Sequence, residues 1–411
     1  MSMLTPSSNT PDYTASAGVV AAPPSSAPAD IAANAVTSAQ AGLTQAPKRS
    51  SSLAVLGIIG VIVLAIVMLL VVVYLVAGLG TDAFALGGVM ALVPFAIVFL
   101  VVRWIDRWER EPRLAVVFAF LWGAGVAVLI ALLVGAEIEN VVNSLGGPGS
   151  GYEFFGAAIQ APIVEETGKG FGLLLMFWFA RKLFDGPVDG LVYAAWVAGG
   201  FAFTENILYF GSQLVTVGGV DGSVVEIFLI RGIMSPFAHV MFTACTGIAL
   251  GFAARRTGAF GAIGYFLIGL VPAILLHALW NGALFFVDNF YVYFAVVQFP
   301  LFVLAILLVV TLRKQETKLT HDRLAEYAAA GWFAADEVTS LATPNGRRQA
   351  IAWAKGKGKG PTMKQYIRDS TRLAFARQRI ITGRGKASAE AEEAALLGAI
   401  VESRKTLAAT A

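Results

Sequence analysis

Charged side chains are scarce in this chain. Asp, Glu, Lys and Arg make up 14% of its 411 residues, where a soluble protein carries about 25%. That shortage excludes an ordinary soluble domain, and a hydrophobic content of 57% points to the bilayer. Cysteine is nearly absent. Cys245 stands alone, so the chain can form neither an internal disulfide nor a cysteine-rich metal site. Histidine is limited to His239, His277 and His321. The formal net charge is only +3, too small an excess to argue for nucleic acid. Large apolar side chains are almost missing from residues 1–50, which are rich in Ala, Ser, Pro and Thr. Such a stretch cannot offset its ordering entropy by burial, so residues 1–52 read as a disordered tail. It has no basic start and no apolar run before Leu53, and so does not read as a secretory signal peptide.

What the chain has in abundance is long apolar runs. Eight follow one another, at about residues 53–79, 83–102, 114–136, 154–180, 188–210, 224–254, 259–287 and 290–312. Each reaches the ~20 residues that cross the hydrocarbon core. The seventh contains Pro272 and reads as one kinked helix or two short ones. Lys and Arg fall on every second connection: Lys48 and Arg49, then Arg103 to Arg113, Arg181 and Lys182, Arg255 and Arg256, Arg313 and Lys314. The other connections hold acidic residues and no basic ones. By the positive-inside rule this is an all-α polytopic bundle of about eight transmembrane helices in the cell membrane, with both termini cytoplasmic.

The bundle occupies residues 53–313, and residues 314–411 follow as a basic tail with 17 Lys and Arg against 10 Asp and Glu. Segments 364–381 and 387–407 have helical patterns, and the Lys-Gly repeat from Lys355 to Pro361 between them reads as a flexible basic linker. The charge suits anionic lipid head groups better than nucleic acid.

Against this apolar background, Glu165, Glu166 and Lys169 stand inside the fourth span. A charge at that depth costs at least about 2.5–3.5 kcal/mol. Polar groups also lie in the next three spans: Glu205 and Asn206, then His239, then His277 and Asn281. The topology puts them all in the central to outer part of the membrane. Lys169 follows Glu165 by four residues and shares its helical face, so the two are expected to pair. Glu166, about 100° around the helix, is then the freer carboxylate and the expected base. Pro162, Pro236, Pro272 and the pair Gly199-Gly200 precede these groups. Helix breakers at such positions predict a water-accessible cavity among spans four to seven, open to the outer face. Thr243 reads as back-bonded to its own helix, and Arg231 as snorkelling outward.

Glutamates and imidazoles round a wet cavity suit water activation, in one of two ways. His239, His277 and a glutamate could bind a divalent metal, zinc being the first choice, while another glutamate takes the proton from the bound water. Alternatively a glutamate activates water directly, and histidine with Asn281 donates to the developing oxyanion. The helix-borne His-Glu-x-x-His motif is absent, and both versions stay open. Either hydrolyses a peptide bond in or beside the membrane.

The residues Glu165-Glu166-x-x-Lys169, Phe201-x-x-x-Glu205-Asn206, His239-x-x-x-Thr243 and His277-x-x-Trp280-Asn281 resemble the PrsW-type intramembrane proteases. These are distant relatives of the CAAX prenyl protease and bacteriocin-immunity group. The segments from Asp106 to Pro112 and from Asp185 to Gly190 resemble family segments too, and the likeness covers about residues 90–310. It implies a protease, of glutamate or metallo type, that cuts membrane-anchored proteins near the extracytoplasmic side, an anti-sigma factor in known cases. It also implies that Glu165, Glu166, Glu205, His239 and His277 form the catalytic or metal-binding set. The CAAX relatives have His where this chain has Glu205, so their ligand assignment does not carry over; Glu205 joins His239 and His277 here as the expected ligands.

A reading from another class is an ion- or proton-coupled transporter, since intramembrane Glu, Lys and His also form proton relays. Transporters show related broken helices in two halves. The first three spans here show no counterpart of the polar groups in spans four to seven. The expected partners are a membrane-anchored protein substrate and the lipid bilayer, with no nucleic acid. Nothing in the residues specifies an oligomeric state.

Overall fold

The computed structural model describes residues 51–149, 151–383 and 385–409. The disordered tail expected for residues 1–52 falls outside them up to residue 50. No strand occurs among the described residues, and the chain divides into two compact units between Leu312 and Arg313.

The first unit is built from long apolar helices. They are α1 (Ser51–Leu79), α2 (Thr81–Ile105), α3 (Arg113–Ser144), α4 (residues 152–179), α5 (Pro187–Val217), α6 (Gly222–Arg256), α7 (Gly261–Phe285) and α8 (Phe290–Ala329), of which residues 313–329 belong to the second unit. Seven of these are long and apolar enough to cross a membrane, which makes the chain a multi-pass membrane protein. The helix at the expected fourth span, α4, has the length but carries Glu165, Glu166 and Lys169 within it, so composition alone does not mark it as a span. Pro272 does not split α7, which runs through it.

Helix α5 is the centre of this unit. Its residues from Pro187 to Phe201 are buried with few gaps, and glycines let its neighbours approach to backbone contact. A methyl group at Gly190 would fall inside the envelope of the Gly247 carbonyl on α6, and one at Gly251 would strike Gly186. One at Gly200 would strike the Phe120 carbonyl on α3. Small residues spaced in this way are what bring membrane helices together.

The two family-like segments tie the start of α5 to its neighbours. Asp189 accepts the N–H groups of Asp185 and Gly186 at 2.6 and 2.8 Å, closing the first turn of α5. Arg255, at the end of α6, donates to the Asp185 carbonyl at 2.7 Å. Tyr193 of α5 donates to Glu111, whose N–H is taken by Asp106 at 3.0 Å. Burial, with the Asp189 carboxylate near it, pushes the Glu111 carboxyl well above the usual carboxylate range. The segments thus hold helix ends rather than substrate.

The second unit contains α9 (Ala335–Leu341), α10 (Pro344–Gly356), α11 (Gly360–Ile381) and α12 (Lys386–Ala408). It has its own core, in which Tyr327, Leu341, Met363, Tyr366, Leu373, Leu397 and Ile400 are almost wholly buried. The stretch from Lys355 to Pro361, expected as a flexible linker, is a tight turn between α10 and α11. Gly358 supplies the positive φ of 69°, and Lys359 reaches the Leu407 carbonyl at the end of α12 at 3.2 Å. Arg404 donates to Glu337 at 2.8 Å and to the Trp332 carbonyl at 2.5 Å, and Tyr366 donates to the same glutamate. Removing one partner of a buried pair costs about 3–5 kcal/mol. Glu337→Ala is therefore expected to release amide-exchange protection across residues 335–408 in the full-length protein. Unchanged protection would show that the ion pair does not hold this unit.

Candidate active site

Four helices deliver one connected polar set. In α4 the turn before the glutamates is wide: residues Gly156–Gln160 are π-helical, and the Ala161 N–H bonds back to Gly156. The next carbonyl in that pattern, Ala157, would need the N–H of residue 162, which is proline and has none. Asn281 of α7 supplies the missing donor at 3.0 Å. Asn281 was expected to face an oxyanion; one N–H of its amide clamps α7 to α4. The helix then continues regularly, so Glu165, Glu166 and Lys169 stand one turn further on. Trp122 of α3 fixes that turn by donating to the Gly168 carbonyl at 2.9 Å.

Lys169 is fully buried, and its ammonium has three partners. These are Glu165 Oε2 at 3.2 Å, Glu166 Oε1 at 2.8 Å and His239 Nδ1 at 3.0 Å. Phe201 of α5 closes the remaining side, its ring centre 3.8 Å from Nζ. Sequence spacing assigned Lys169 to Glu165 and left Glu166 free, and the structure differs. Lys169 reaches both carboxylates, and Glu166 is the more closely held of the two. Glu166 also accepts from Thr243 Oγ1 at 2.8 Å, and His277 Nδ1 lies 3.2 Å from its Oε1. Thr243 therefore crosses to α4 rather than bonding back along α6.

The neighbours decide the tautomers. An ammonium can only donate, so His239 Nδ1 accepts and the proton sits on Nε2. That Nε2–H donates to Glu205 Oε2 at 2.8 Å. A carboxylate only accepts, so His277 carries its proton on Nδ1 toward Glu166 and its Nε2 is bare. Each imidazole is thus oriented by a carboxylate behind it, Glu205 for His239 and Glu166 for His277. This is the arrangement that backs metal-ligating histidines.

Arg231 takes the far side of Glu205. Its Nη2 lies 2.5 Å from Glu205 Oε2, its Nε donates to Asn206 at 3.2 Å, and it stacks over the Tyr209 ring at 3.8 Å. It was expected to snorkel outward. The π-helical stretch Phe228–Met234, ending at the non-helical Ser235, accompanies its turn onto the half-buried Glu205 carboxylate. Among the expected helix breakers, Pro236 does interrupt α6, whereas α5 passes unbroken through Gly199-Gly200.

Glu166, Lys169 and Thr243 are wholly buried and His277 is 2% exposed, while the side chains of His239, Glu205 and Arg231 on the other side are 12, 14 and 25% exposed. Three carboxylates (Glu165, Glu166 and Glu205) face two cations (Lys169 and Arg231). With neutral imidazoles, one negative charge is left over. Glu165, His239 and His277 bring one ligand atom each to within 4.8 Å of one another. Two imidazoles and a carboxylate are the donor set of a catalytic divalent metal with one position open, and the surplus charge has the matching sign. Glu205, expected among the ligands, is not in this group because His239 Nε2 and Arg231 already occupy it.

Comparison with known proteins agrees with this geometry. The sequence profile described as PrsW family intramembrane metalloprotease matches residues 111–309, which include every residue of the set. Among curated relatives, Protease PrsW of Clostridioides difficile (strain 630) is 30% identical over 160 residues, 38% of this chain and 62% of the relative. Protease PrsW of Bacillus subtilis (strain 168) is 29% identical over 188 residues, 46% of this chain and 78% of the relative. Protease PrsW of Oceanobacillus iheyensis is 30% identical over 173 residues, 42% of this chain and 70% of the relative. The chain thus spans less than two thirds of the Clostridioides difficile protein. No solved structure matches the chain.

Proposed function

The chain belongs to the PrsW family of intramembrane metalloproteases, and on that footing we propose that it hydrolyses a peptide bond of a membrane-anchored protein, in or beside its membrane segment. The observation that carries this reading is the convergence of Glu165, His239 and His277, from α4, α6 and α7, with one ligand atom each within 4.8 Å of the others. A single-span regulator such as an anti-sigma factor is a substrate of the right class. The alternation of basic connections supports a topology with both termini in the cytoplasm and the set in the outer half of the cell membrane.

Glu165, His239 Nδ1 and His277 Nε2 would hold the metal, zinc being the ion best suited to this donor set. When bound, it would polarise a water and bring its pKa toward ~7. Glu205 and Glu166 fix the two imidazoles in the tautomers that expose those nitrogens. Arg231 holds Glu205 in place from behind. Glu166 takes the proton of the attacking water at Oε2, the oxygen that Thr243 steadies. Phe201 and Phe242 keep bulk water out of the set.

One contact favours a second, metal-free version. The Lys169 ammonium already occupies His239 Nδ1, so loading requires Lys169 to yield that nitrogen and keep only the carboxylates. If it never yields, Glu165 and Glu166 with Lys169 form the whole water-activating machinery.

The reading is tested by trapping. Glu166→Gln, expressed in native membranes, is expected to co-purify with a single-span protein that wild-type protein cuts and His239→Ala or His277→Ala does not. Identical single-span proteins at identical levels in wild-type and Glu166→Gln membranes would overturn it.

A further inference from the structure

Beside the polar set lies a cavity of about 140 Å³. Its walls are apolar: Ile97 of α2, Met234 and Phe237 of α6, Trp280 of α7 and Phe302 of α8. Two polar side chains also line it, Ser235 and Gln298. Gln298 closes the π-helical stretch Phe294–Gln298 of α8 and is 1% exposed. Its Oε1 has no hydrogen-bond partner, and neither does Ser235 Oγ. One N–H of its amide addresses the Tyr293 hydroxyl, which itself donates to the Leu279 carbonyl at 3.1 Å, and the second N–H is left over.

A buried carboxamide whose oxygen is unpaired is costly, and native proteins pair such groups. A lipid chain could fill the cavity but offers no hydrogen bonds. A peptide unit satisfies both ends, its N–H donating to Oε1 and its C=O accepting from Nε2. The volume sets the rest of the ligand. An apolar cavity of about 150 Å³ holds a benzene, so this one takes one side chain of leucine or phenylalanine size.

The cavity also adjoins the active-site residues. Ala238 and Met241 line it, and His239 and Phe242 are their chain neighbours. Trp280 packs edge-on to Phe242 at 5.6 Å, and Phe242 stacks on His277 at 4.8 Å. A peptide seated here is one aromatic layer from the two imidazoles. The break in α6 at Ser235, which exposes that hydroxyl, also sets the start of the helix that carries His239.

We propose that this cavity is the subsite for one large apolar side chain of the peptide substrate, with Gln298 pairing the backbone amide of that residue. The identity of the peptide as a substrate rests on the proteolytic reading above; its binding does not.

The test uses the full-length protein in lipid nanodiscs and N-acetyl-photoleucine methylamide, a diazirine probe that carries the side chain and the amide. After photolysis, adducts are expected on Met234, Phe237 or Phe302. Excess N-acetyl-leucine methylamide, and separately the Gln298→Leu substitution, should each reduce them about tenfold. Ile97→Trp, which fills the cavity and leaves Gln298 in place, should reduce them as well. Labelling that survives Gln298→Leu undiminished would overturn the proposal. So would labelling only by a diazirine fatty acid, which marks a lipid cavity, or no labelling at all, which marks a water-filled one. Loss of the proteolytic reading looks different: no protein is cleaved, and the probe still labels and is still displaced.

Discussion

Glu166→Gln is expected to lower cleavage of a single-span substrate by about 10³-fold or more, the scale on which proton transfer and carboxylate-backed ligands act together. The variant should still insert and accumulate, because glutamine keeps the shape and the acceptor for Thr243. What it loses is the charge opposite Lys169 and the anion that fixes the His277 tautomer. Cleavage in reconstituted vesicles, corrected for the amount of inserted protein, gives the measurement. A variant that retains a tenth or more of wild-type activity would remove Glu166 from the chemistry.

Gly190→Val should be the most damaging change away from the polar set. Helices α5 and α6 meet there backbone to backbone, with Gly190 against Gly247 and Gly186 against Gly251. No side chain can move aside, so relief requires separating the helices. Overpacking of a core commonly costs about 1–3 kcal/mol and sometimes more, and this crossing belongs at the upper end. Separation also pulls Glu205 from His239, since one residue lies on each helix. Thermal unfolding in detergent should show a large drop in midpoint for Gly190→Val and little change for Gly88→Ala, where a methyl meets nothing within 4 Å. Equal midpoints for Gly190→Val and wild type would mean that the crossing is not close-packed.

The residues of the polar set were legible because charge inside an apolar run is costly and therefore conspicuous. Glu165, Glu166, Glu205, His239 and His277 stand out from the sequence on that ground, and the structure connects them through Lys169 and Thr243. Their pairing was less legible. Lys169 sits four residues from Glu165 and three from Glu166, and a flexible four-carbon stem reaches both. Helical spacing alone cannot choose between i+3 and i+4. Arg231 misled for another reason. An arginine near a helix end usually reaches for the interface, and here the irregular stretch Phe228–Met234 accompanies its pairing with the half-buried Glu205. Asn281 was visible as a polar residue in the right place, but its use depends on Pro162 lacking an N–H inside a π-turn. Gln298 gave no signal at all, being a neutral amide near one end of an apolar run. The second unit is a similar case: its Lys-Gly repeat looks like a linker until Gly358 is seen to turn the chain between two packed helices.

The central claim is that Glu165, His239 and His277 hold a divalent metal while Glu166 and Glu205 orient the imidazoles. Metal content of the purified full-length protein, measured for wild type and variants, tests it most directly. The account predicts about one zinc per chain in wild type and in Glu166→Gln on the pattern of three protein ligands. It predicts near-complete loss in Glu165→Gln and His277→Ala, with wild-type cleavage abolished by a chelator and restored by zinc. Wild-type protein that cleaves its substrate with no bound metal, and that chelators leave untouched, would contradict the account.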